Sequence, residues 1–389
     1  MKTYDTLIVG GGIIGASLAF ELARSGQAVL VLDRQEPGLE ASWAAAGTIS
    51  PAPDQEAIGI ATLGCESYRL YPSFISSIET ASGESAGFHP EGAIELFFEP
   101  NGEVERNERW NQIRDAGLNA ECISLAEAHR REPAIGPSAR AALWIADEAY
   151  LDPRVLTRVT LAAAQCTGAE IRGNTEAISV ITCDGQCDGV LAVRMEMHQA
   201  GELRVRTAEK IEARHVVIAA GWRSKEIGGA ESCAPSSPVR GQIVAFGRVA
   251  GAPRTILRSE SGYMAPREDG RIVAGSTLEP GALDKHPTAA GLCKILSAAT
   301  EMAPALADAP ILETWAGIRP DSPDHLPMIG ATDINGLFIA TGHYRNGMLL
   351  APVTAKYLAE WIVEGRVSKY LEPFSPMRFA AASRSASLS

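Results

Sequence analysis

Near its N-terminus the chain reads Leu7-Ile8-Val9-Gly10-Gly11-Gly12-Ile13-Ile14-Gly15, an apolar run followed by the pattern G-x-G-x-x-G. The run predicts a buried strand, and the residues after it predict a helix that Gly26 ends. A second apolar run, Val29–Leu32, is followed by Asp33, 18 residues after Gly15. This order of strand, glycine turn, helix, strand and acid predicts a βαβ unit that binds a dinucleotide.

Each part of this unit has a physical reason. Gly10 permits the tight turn out of the strand, Gly12 lets the backbone approach a pyrophosphate, and Gly15 lets the helix pack closely on the sheet. The helix N-terminus favours the phosphate charge, and the Asp33 carboxylate accepts hydrogen bonds from ribose hydroxyls while repelling a 2′-phosphate. The motif alone leaves NAD and FAD open. The small residues of 40–48 favour close packing along an extended cofactor, although a tightly packed helix is the alternative.

The composition limits the class of protein. The 389 residues have a formal net charge of −12 and a hydrophobic fraction of 46%, which indicates a soluble globular protein of two or three domains. The acidic balance argues against a nucleic-acid partner, because a phosphate backbone requires a basic surface. No run of about 18 apolar residues predicts a transmembrane helix, and no signal peptide is apparent. Seven cysteines without a CxxC pair indicate reduced thiols in a cytoplasmic protein, and no metal site.

The rest of the chain alternates between two kinds of structure. Antiparallel strands with turns between them are predicted over 177–181, 189–193 and 203–206, followed by separate buried strands at 211–218 and 337–341. We therefore expect an α/β (α+β) fold, in which a Rossmann-type cofactor domain is interleaved with a substrate domain on a mostly antiparallel sheet. The expected cofactor domain comprises 1–80, 152–236 and 320–366, and the substrate domain comprises 81–151 and 237–319. Residues 367–389 form the C-terminal tail, of which 374–389 is expected to be loosely held.

Five segments together carry a family resemblance. They are Gly10–Gly15, Ala41–Thr48, Tyr263-Met264-Ala265-Pro266-Arg267, Trp315-Ala316-Gly317-Ile318-Arg319-Pro320 and Gly342-His343-Tyr344-Arg345-Asn346-Gly347-Met348-Leu349-Leu350-Ala351-Pro352. On these segments the chain resembles the D-amino-acid-oxidase-like FAD-dependent oxidoreductases, and within them the glycine oxidases of thiamine biosynthesis. The segments span almost the whole chain.

The resemblance implies FAD as the cofactor. Residues 320–340 hold no cysteine, whereas relatives with covalent FAD carry one in this region, so non-covalent binding is expected. The residues expected to contact FAD are Gly10, Gly12, Ile13, Ile14, Gly15, Asp33, Arg34, Ala41, Ser42, Ala46, Gly47, Thr48, Ala177, Gly221, His343, Tyr344, Arg345, Asn346, Gly347, Met348 and Leu349. From His343 onward the contribution is expected to be mostly backbone, and the helix N-terminus there would stabilise negative charge on reduced flavin.

The resemblance also implies a carboxylate site. A guanidinium is a planar fork that binds a carboxylate bidentately, and the family uses the position of Arg319 for this contact. Tyr263 would add a hydroxyl hydrogen bond, so Arg319 and Tyr263 are the predicted catalytic pair. Arg345 and Leu278 are predicted to complete the substrate pocket. Relatives often have Met where this chain has Leu278, which leaves the exact substrate open.

The implied reaction is oxidation of glycine, sarcosine or a small D-amino acid to the 2-oxo acid, ammonia and hydrogen peroxide. A hydride leaves the substrate carbon for the flavin, the imino acid hydrolyses, and oxygen is the expected electron acceptor. The first alternative is a D-amino-acid or 2-hydroxy-acid dehydrogenase that passes electrons to a quinone. An NAD-dependent dehydrogenase, a tRNA-modifying flavoprotein and a non-catalytic flavin-binding module are further alternatives. A homo-oligomer is possible by analogy with relatives.

Overall fold

The computed structural model describes residues 3–52, 60–197 and 203–379. Its helices are α1 (Ile13–Arg24), α2 (Ala41–Ala44), α3 (Ala61–Ser82), α4 (Gly102–Asp115), α5 (Leu125–Arg131), α6 (Pro153–Cys166), α7 (Ala289–Met302) and α8 (Gly347–Glu364). Its strands are β1 (Tyr4–Val9), β2 (Val29–Leu32), β3 (Thr48–Ile49), β4 (Ala93–Phe97), β5 (Ala120–Ile123), β6 (Ala141–Ile145), β7 (Ala149–Tyr150), β8 (Glu170–Arg172), β9 (Thr175–Cys183), β10 (Gln186–Met197), β11 (Leu203–Ile218), β12 (Ser237–Phe246), β13 (Ile256–Ser259), β14 (Gly262–Pro266), β15 (Ile272–Gly275), β16 (Glu279–Pro280), β17 (Ile311–Asp321), β18 (Met328–Ala331) and β19 (Leu337–Thr341).

The first sheet is built around the predicted βαβ unit. Its strand order is β18-β19-β11-β1-β2-β8, and β1 pairs in parallel with both β11 and β2. Strands β1 and β2 are almost completely buried, as expected for parallel strands covered on both faces. The carboxyl ends of β1, β2 and β11 therefore meet at one edge of the sheet, where α-β proteins bind their ligands.

Two layers cover this sheet. Helices α1, α3, α6 and α8 pack on one face, and their core includes Phe20 and Leu350. The antiparallel strands β9 and β10 lie over the other face, where Val180 and Val190 pack with Leu7 and Leu30 of the sheet. A helical layer, a parallel sheet and an antiparallel layer thus enclose two hydrophobic cores.

Strand β11 differs from the sequence-based expectation. The segments 203–206 and 211–218 were predicted as separate strands, but they form one continuous strand. Its first part pairs antiparallel with β10 up to the Gly189–Glu212 pair, and from Ala213 onward it pairs in parallel with β1. The strand continues because its backbone enters the second ladder where the first one ends.

The second sheet is mostly antiparallel. Its order is β16-β12-β15-β14-β13-β4-β6-β5, with β17 paired along β12. Only the β13–β4 pair is parallel among its described pairs. Helix α7 packs on one face through Ile295 and Ala299. On the opposite face, side chains of β12, β13, β14 and β17 point toward the first sheet and line a cavity.

Each of these two sheets takes its strands from the chain ranges of one predicted domain, apart from the end of β17. Strands of the first sheet come from the ranges 1–80, 152–236 and 320–366, and those of the second come from 81–151 and 237–319, with β17 ending at Asp321. The exact domain boundaries remain a prediction. No helix among the described residues is both long and apolar enough to cross a bilayer. Within the same residues, no cluster of three or more His, Cys, Asp or Glu side chains offers a metal site.

The predicted loose tail is wrong for its first part. Leu371 and Phe374 are buried in the core beneath α8, and Phe379 packs on the second core of the first sheet. Arg378 forms an ion pair with Asp324 at 2.8 Å. These apolar side chains attach the segment to the domain, although its Ser- and Ala-rich composition predicts weak attachment. Residues 380–389 of the predicted tail lie outside the described residues.

Candidate active site

The glycine turn has the geometry that its motif predicts. Gly10 adopts φ +109°, and a Cβ there would collide with the carbonyl oxygen of Ala219. A Cβ on Gly15 would overlap the carbonyl oxygen of Gly10, so helix α1 can approach the turn only without a side chain. Gly12 instead lines a large cavity, where an added Cβ would come within 3.1 Å of Ser42 Oγ. The turn is therefore closed on one side and open on the cavity side.

Asp33 anchors the same turn at the end of β2. Its Oδ2 accepts a hydrogen bond from Gly11 N at 2.8 Å, and its Oδ1 accepts one from Gln35 N at 3.1 Å. Burial raises the pKa of Asp33, although these backbone hydrogen bonds oppose the shift. The carboxylate borders the cavity and is positioned to accept further hydrogen bonds from a ribose.

Arg34 follows Asp33 and lines the same end of the cavity. Its guanidinium forms an ion pair with Glu40 at 2.6 Å, and Lys285 reaches the other oxygen of Glu40, also at 2.6 Å. Burial works to raise the pKa of Glu40, but the hydrogen bonds and charges of these two cations outweigh it and lower the pKa. This end of the cavity is thus lined by charged groups that are already paired.

The small-residue segment forms the next part of the cavity wall. It contains the short helix α2 and then an extended stretch leading into β3. Ser42 Oγ accepts a hydrogen bond from Ile13 N at 2.9 Å, which ties α2 to the N-terminus of α1. Gly47 adopts φ +79°, and a Cβ there would collide with Leu151 O. The segment lies close to the backbone around it because its side chains are small.

The N-terminus of α8 forms the opposite end of the cavity. Residues 346–349 line it, and the helix begins at Gly347 without a side-chain cap. Tyr344 has φ +49°, and its N–H donates to Pro320 O at 2.7 Å. The first N–H groups of an α-helix have no partner within the helix, and the helix dipole places partial positive charge there. This end of the cavity therefore suits an electron-rich group.

His343 is one of the residues that border the cavity, but its imidazole ring is buried in the protein. It is 2% exposed, and its Nε2 lies 3.1 Å from Thr354 Oγ1 of α8. Burial lowers the pKa of His343 to about 3, so the ring is neutral at physiological pH. A general-base role for His343 therefore has no support in this geometry.

The buried His343 should make the protein sensitive to acid. Its pKa is about 3 in the folded state and about 6.5 when unfolded. The unfolded chain therefore takes up a proton that the folded state excludes, and stability contributed by neutral His343 is lost as pH falls from about 6.5 toward 3. We expect His343→Gln to lose less stability over this interval in denaturant unfolding. The exposed His286→Gln is the control, and equal acid sensitivity of all three proteins would contradict the prediction.

Arg319 enters the cavity from the second sheet. It lies on β17 opposite Val239 of β12. Its Nη2 donates to Ser276 Oγ at 2.8 Å, and its Nη1 donates to Thr277 O at 3.1 Å. Burial lowers the pKa of the Arg319 guanidinium, and Arg345 lowers it further, whereas Tyr263 opposes the shift. An arginine nevertheless keeps its charge at neutral pH, so the fork is an oriented cation in the cavity wall.

Gly241 provides the space that this fork occupies. A Cβ at position 241 of β12 would collide with the terminal atoms of the Arg319 guanidinium. We expect Gly241→Ala to displace the fork and raise KM for an amino acid about 10- to 100-fold, because misplacement of about 1 Å has effects of this size. Gly247→Ala, just after β12, is a control, since a Cβ there would meet the Pro310 side chain at 2.9 Å and no atom of Arg319. An unchanged KM in Gly241→Ala would contradict the role of this clearance.

Tyr263 lies on the same face of the second sheet. Across the sheet, Ile243 pairs with Gly275 and Gly275 pairs with Tyr263. Ile243, Tyr263 and Arg319 all line the cavity. Arg345, just before α8, lines it as well and influences the pKa of Arg319. The structure therefore brings together three of the four predicted substrate residues.

Leu278 is the exception among the predicted substrate residues. Its side chain is 44% exposed, and it is absent from the described cavity wall. The adjacent Thr277 turns inward, where its hydroxyl accepts from Gln242 N at 3.0 Å and donates to Glu279 at 2.6 Å. Because neighbouring residues in an extended chain point to opposite sides, Leu278 faces outward. The expectation that Leu278 lines the pocket is therefore wrong for this structure.

The predicted cofactor residues lie in this one cavity with a single exception. Gly15 is buried beneath the turn, where it serves the packing of α1 on the sheet. Those that line the cavity are Gly10, Gly12, Ile13, Ile14, Asp33, Arg34, Ala41, Ser42, Ala46, Gly47, Thr48, Ala177, Gly221, His343, Tyr344, Arg345, Asn346, Gly347, Met348 and Leu349. Their roles in binding remain predictions.

The cavity fits an extended flavin dinucleotide. The open side of Gly12 and the N-terminus of α1 suit a pyrophosphate, and Asp33 suits a ribose. The cavity continues along the small-residue segment to the N-terminus of α8, which suits an electron-rich ring. Gly12 and Gly47 are positions where a side chain would fill space or collide, as expected for a wall that closely follows a ligand.

A family model for FAD dependent oxidoreductases matches residues 5–361. The chain belongs to the FAD-dependent oxidoreductase family. The fold class, the assignment to FAD-dependent oxidoreductases and the FAD cofactor inferred from the sequence are thereby confirmed. Within this oxidoreductase, the glycine turn, Asp33 and the N-terminus of α8 are the residues that fit FAD.

Individual relatives agree with the family. The oxidoreductase is 33% identical to the bifunctional protein ThiO/ThiG of Trichormus variabilis, over 97% of this chain and 55% of that protein. It thus spans about half the length of the first curated relatives that it matches. It is 31% identical to the glycine oxidase of Pseudomonas aeruginosa, over 97% and 98% of the two chains. The crystal structure of glycine oxidase from Geobacillus kaustophilus has a TM-score of 0.86 at 27% identity, covering 97% and 99%.

Some residues of the site were not found by sequence reasoning. Gly241 was missed, although a glycine inside a strand often marks close approach of another group. Ser276 and Thr277, which hold the Arg319 fork, carry no recognisable local signal. The same is true of Thr354, which directs His343 away from the cavity. These contacts join segments that are distant in sequence.

Proposed function

We propose that this oxidoreductase is an FAD-dependent amino-acid oxidase that acts on glycine and other small amino acids. The Arg319 fork carries the proposal, because it lines the same cavity as the residues that fit FAD. A bidentate guanidinium selects a carboxylate, and the family supplies the redox chemistry. The glycine oxidases of Pseudomonas aeruginosa and Geobacillus kaustophilus, which match over nearly their full length, support this substrate class.

The roles of the chain's residues follow from their positions. Arg319 binds the substrate carboxylate, Tyr263 adds a hydroxyl hydrogen bond, and Arg345 contributes positive charge beside them. These contacts orient the Cα–H bond of a neutral amine toward the cofactor, so catalysis depends on orientation. The residues that fit FAD would hold it beside this Cα–H bond, where bound FAD would supply a hydride acceptor. The neutral, buried His343 takes no part in proton transfer, and the reaction requires no side-chain base.

The proposed oxidase binds FAD non-covalently and passes its electrons to oxygen. No cysteine is among the described residues that line the cavity, which supports non-covalent FAD. Oxygen is the proposed electron acceptor, giving hydrogen peroxide. The imino acid hydrolyses in water to the 2-oxo acid and ammonia. A cytoplasmic location is proposed together with this activity.

An aerobic peroxide assay tests the function. Purified protein supplemented with FAD should have a flavin absorption spectrum and should form peroxide with at least one of glycine, sarcosine, D-alanine and D-proline. Reduction of a quinone analogue without peroxide would instead support the dehydrogenase alternative. A flavin-loaded protein that oxidises none of the panel with either acceptor would refute the proposal.

A further inference from the structure

Strand β17 carries more than the Arg319 fork. Glu313, Trp315, Gly317 and Arg319 alternate along it and therefore share one face. Arg319 lines the cavity, whereas Gly317 makes room for α2, since a Cβ there would collide with Ala44 Cβ. One strand thus contacts both the substrate space and the segment that faces the cofactor.

The backbone of that segment is held by three side chains. Trp315 Nε1 donates to Ala44 O at 3.0 Å, and Arg154 Nε of α6 donates to Trp43 O at 3.4 Å. Arg267, which follows β14, donates through Nη2 to Ala46 O. The donors come from three distant parts of the chain and reach carbonyls within four consecutive residues. We call Trp315, Arg154 and Arg267 the carbonyl clamp.

The clamp is itself rigid. The Arg154 guanidinium lies 3.6 Å from the Trp43 ring centroid and 4.8 Å from that of Trp315, a cation–π arrangement between two indoles. Its Nη1 and Nη2 donate to the two oxygens of Glu313, at 3.1 and 2.9 Å. A planar bidentate pair fixes the orientation of the guanidinium. The strand that carries Arg319 is therefore tied to α6 and α2 at the same point.

Arg267 adds a buried charge to this arrangement. Its side chain is 5% exposed, and Asp152 Oδ2 lies 4.0 Å from its Nε. Burial lowers the pKa of Arg267 to about 10, with Asp152 opposing the shift. Its Nη1 donates to the adjacent Pro266 O at 3.2 Å, so the bond from Nη2 to Ala46 O is the one that reaches across to the cofactor-facing segment. Desolvating a guanidinium is costly, which indicates that the place of this carbonyl matters.

We propose that the carbonyl clamp positions the cofactor-facing segment 43–46 relative to Arg319, and so sets the approach of substrate carbon to flavin. This inference rests on the proposed function. The clamp residues act through the backbone of segment 43–46 and not on the reacting atoms, so they are positioning residues. A change of about 1 Å in such an alignment has large effects on the rate of the chemical step.

The test uses two matched tryptophan substitutions. Trp315→Phe removes the indole N–H that binds Ala44 O, whereas Trp110→Phe removes an equivalent 3.0 Å bond to Ala120 O far from the cavity. In the FAD-loaded protein we expect Trp315→Phe to change the visible circular dichroism of bound flavin. It should also lower the limiting rate of anaerobic flavin reduction about tenfold, with a smaller change in substrate affinity. Trp110→Phe should match the wild type in both measurements.

A second pair of variants covers the case in which Trp315→Phe does not fold. Arg267→Lys keeps a donor for Ala46 O and should retain most of the flavin signal, whereas Arg267→Met should not. The inference is overturned if Trp315→Phe behaves as Trp110→Phe does, or if the two Arg267 variants are alike. Visible circular dichroism needs no turnover. A wild-type protein that binds FAD but oxidises no amino acid would therefore refute the proposed function and still leave the clamp open to this test.

Discussion

Arg319→Ala should abolish most amino-acid oxidation while FAD stays bound. Removing one partner of an enclosed charge pair costs about 3 kcal/mol, which corresponds to a decrease in kcat/KM of about 100-fold or more. The loss is large because the substrate carboxylate would then be desolvated without a cation. Arg319 contacts Ser276 and Thr277 in the second sheet, so the turn around Gly10 should remain intact. Peroxide formation and flavin absorbance measured on the same sample check both parts.

Two further variants sharpen this prediction. Arg319→Lys keeps the charge but loses the fork, so we expect an intermediate kcat/KM. Arg140→Ala removes an arginine on the second sheet whose Nε donates to Phe98 O, away from the cavity, and should behave as the wild type does. Unchanged kinetics in Arg319→Ala would refute the carboxylate assignment. Loss of FAD from Arg319→Ala would mean that the residue acts on the fold instead.

Gly15→Ala should damage folding and FAD binding together. Its Cβ would overlap the carbonyl oxygen of Gly10, and backbone atoms cannot move aside as a flexible side chain can. Overpacking of this kind costs about 3 kcal/mol, a large part of the 5–15 kcal/mol that is typical of total stability. Relief of the overlap would separate α1 from the turn that fits the pyrophosphate. Denaturant unfolding and FAD titration measure the two effects.

Gly26→Ala provides the matched control for this prediction. Gly26 follows α1 at φ +83°, but no atom lies within 4 Å of a Cβ placed there. The substitution should cost about 1 kcal/mol, from the left-handed backbone alone, and should leave FAD affinity unchanged. Equal stability losses in Gly15→Ala and Gly26→Ala would show that the overlap is relieved at no cost.

The N-terminal unit could be predicted because its parts are neighbours in the sequence. The strand, the glycine turn, α1 and Asp33 are consecutive in the chain, so their spacing in sequence fixes their spacing in the fold. Arg319 was likewise found within a short motif on one strand. The family, the fold class and FAD could therefore be predicted, and the comparisons confirm them. The roles of individual site residues remain predictions.

The errors have the opposite cause. Leu278 was placed in the pocket by resemblance to relatives that often have Met there, but hydrogen bonds of Thr277 to β12 and β16 turn it outward. The segment 374–389 was judged by its composition, whereas Phe374 is buried in the core beneath α8. Strand β11 was divided because its pattern changes, although its backbone continues from one ladder to the next.

The glycines of the site differ in whether their role can be predicted from the sequence. Gly10, Gly12 and Gly15 follow a local pattern, and their purpose is legible from the chain alone. Gly241 and Gly317 make room for Arg319 and Ala44, which lie about 78 and 273 residues away in sequence. The local order of the sequence determined a dinucleotide site, and the resemblance to relatives predicted a carboxylate-binding arginine. Only the tertiary structure shows how that arginine is joined to the cofactor wall, through the carbonyl clamp and two glycines. These contacts could not be predicted because they join segments that are distant in sequence.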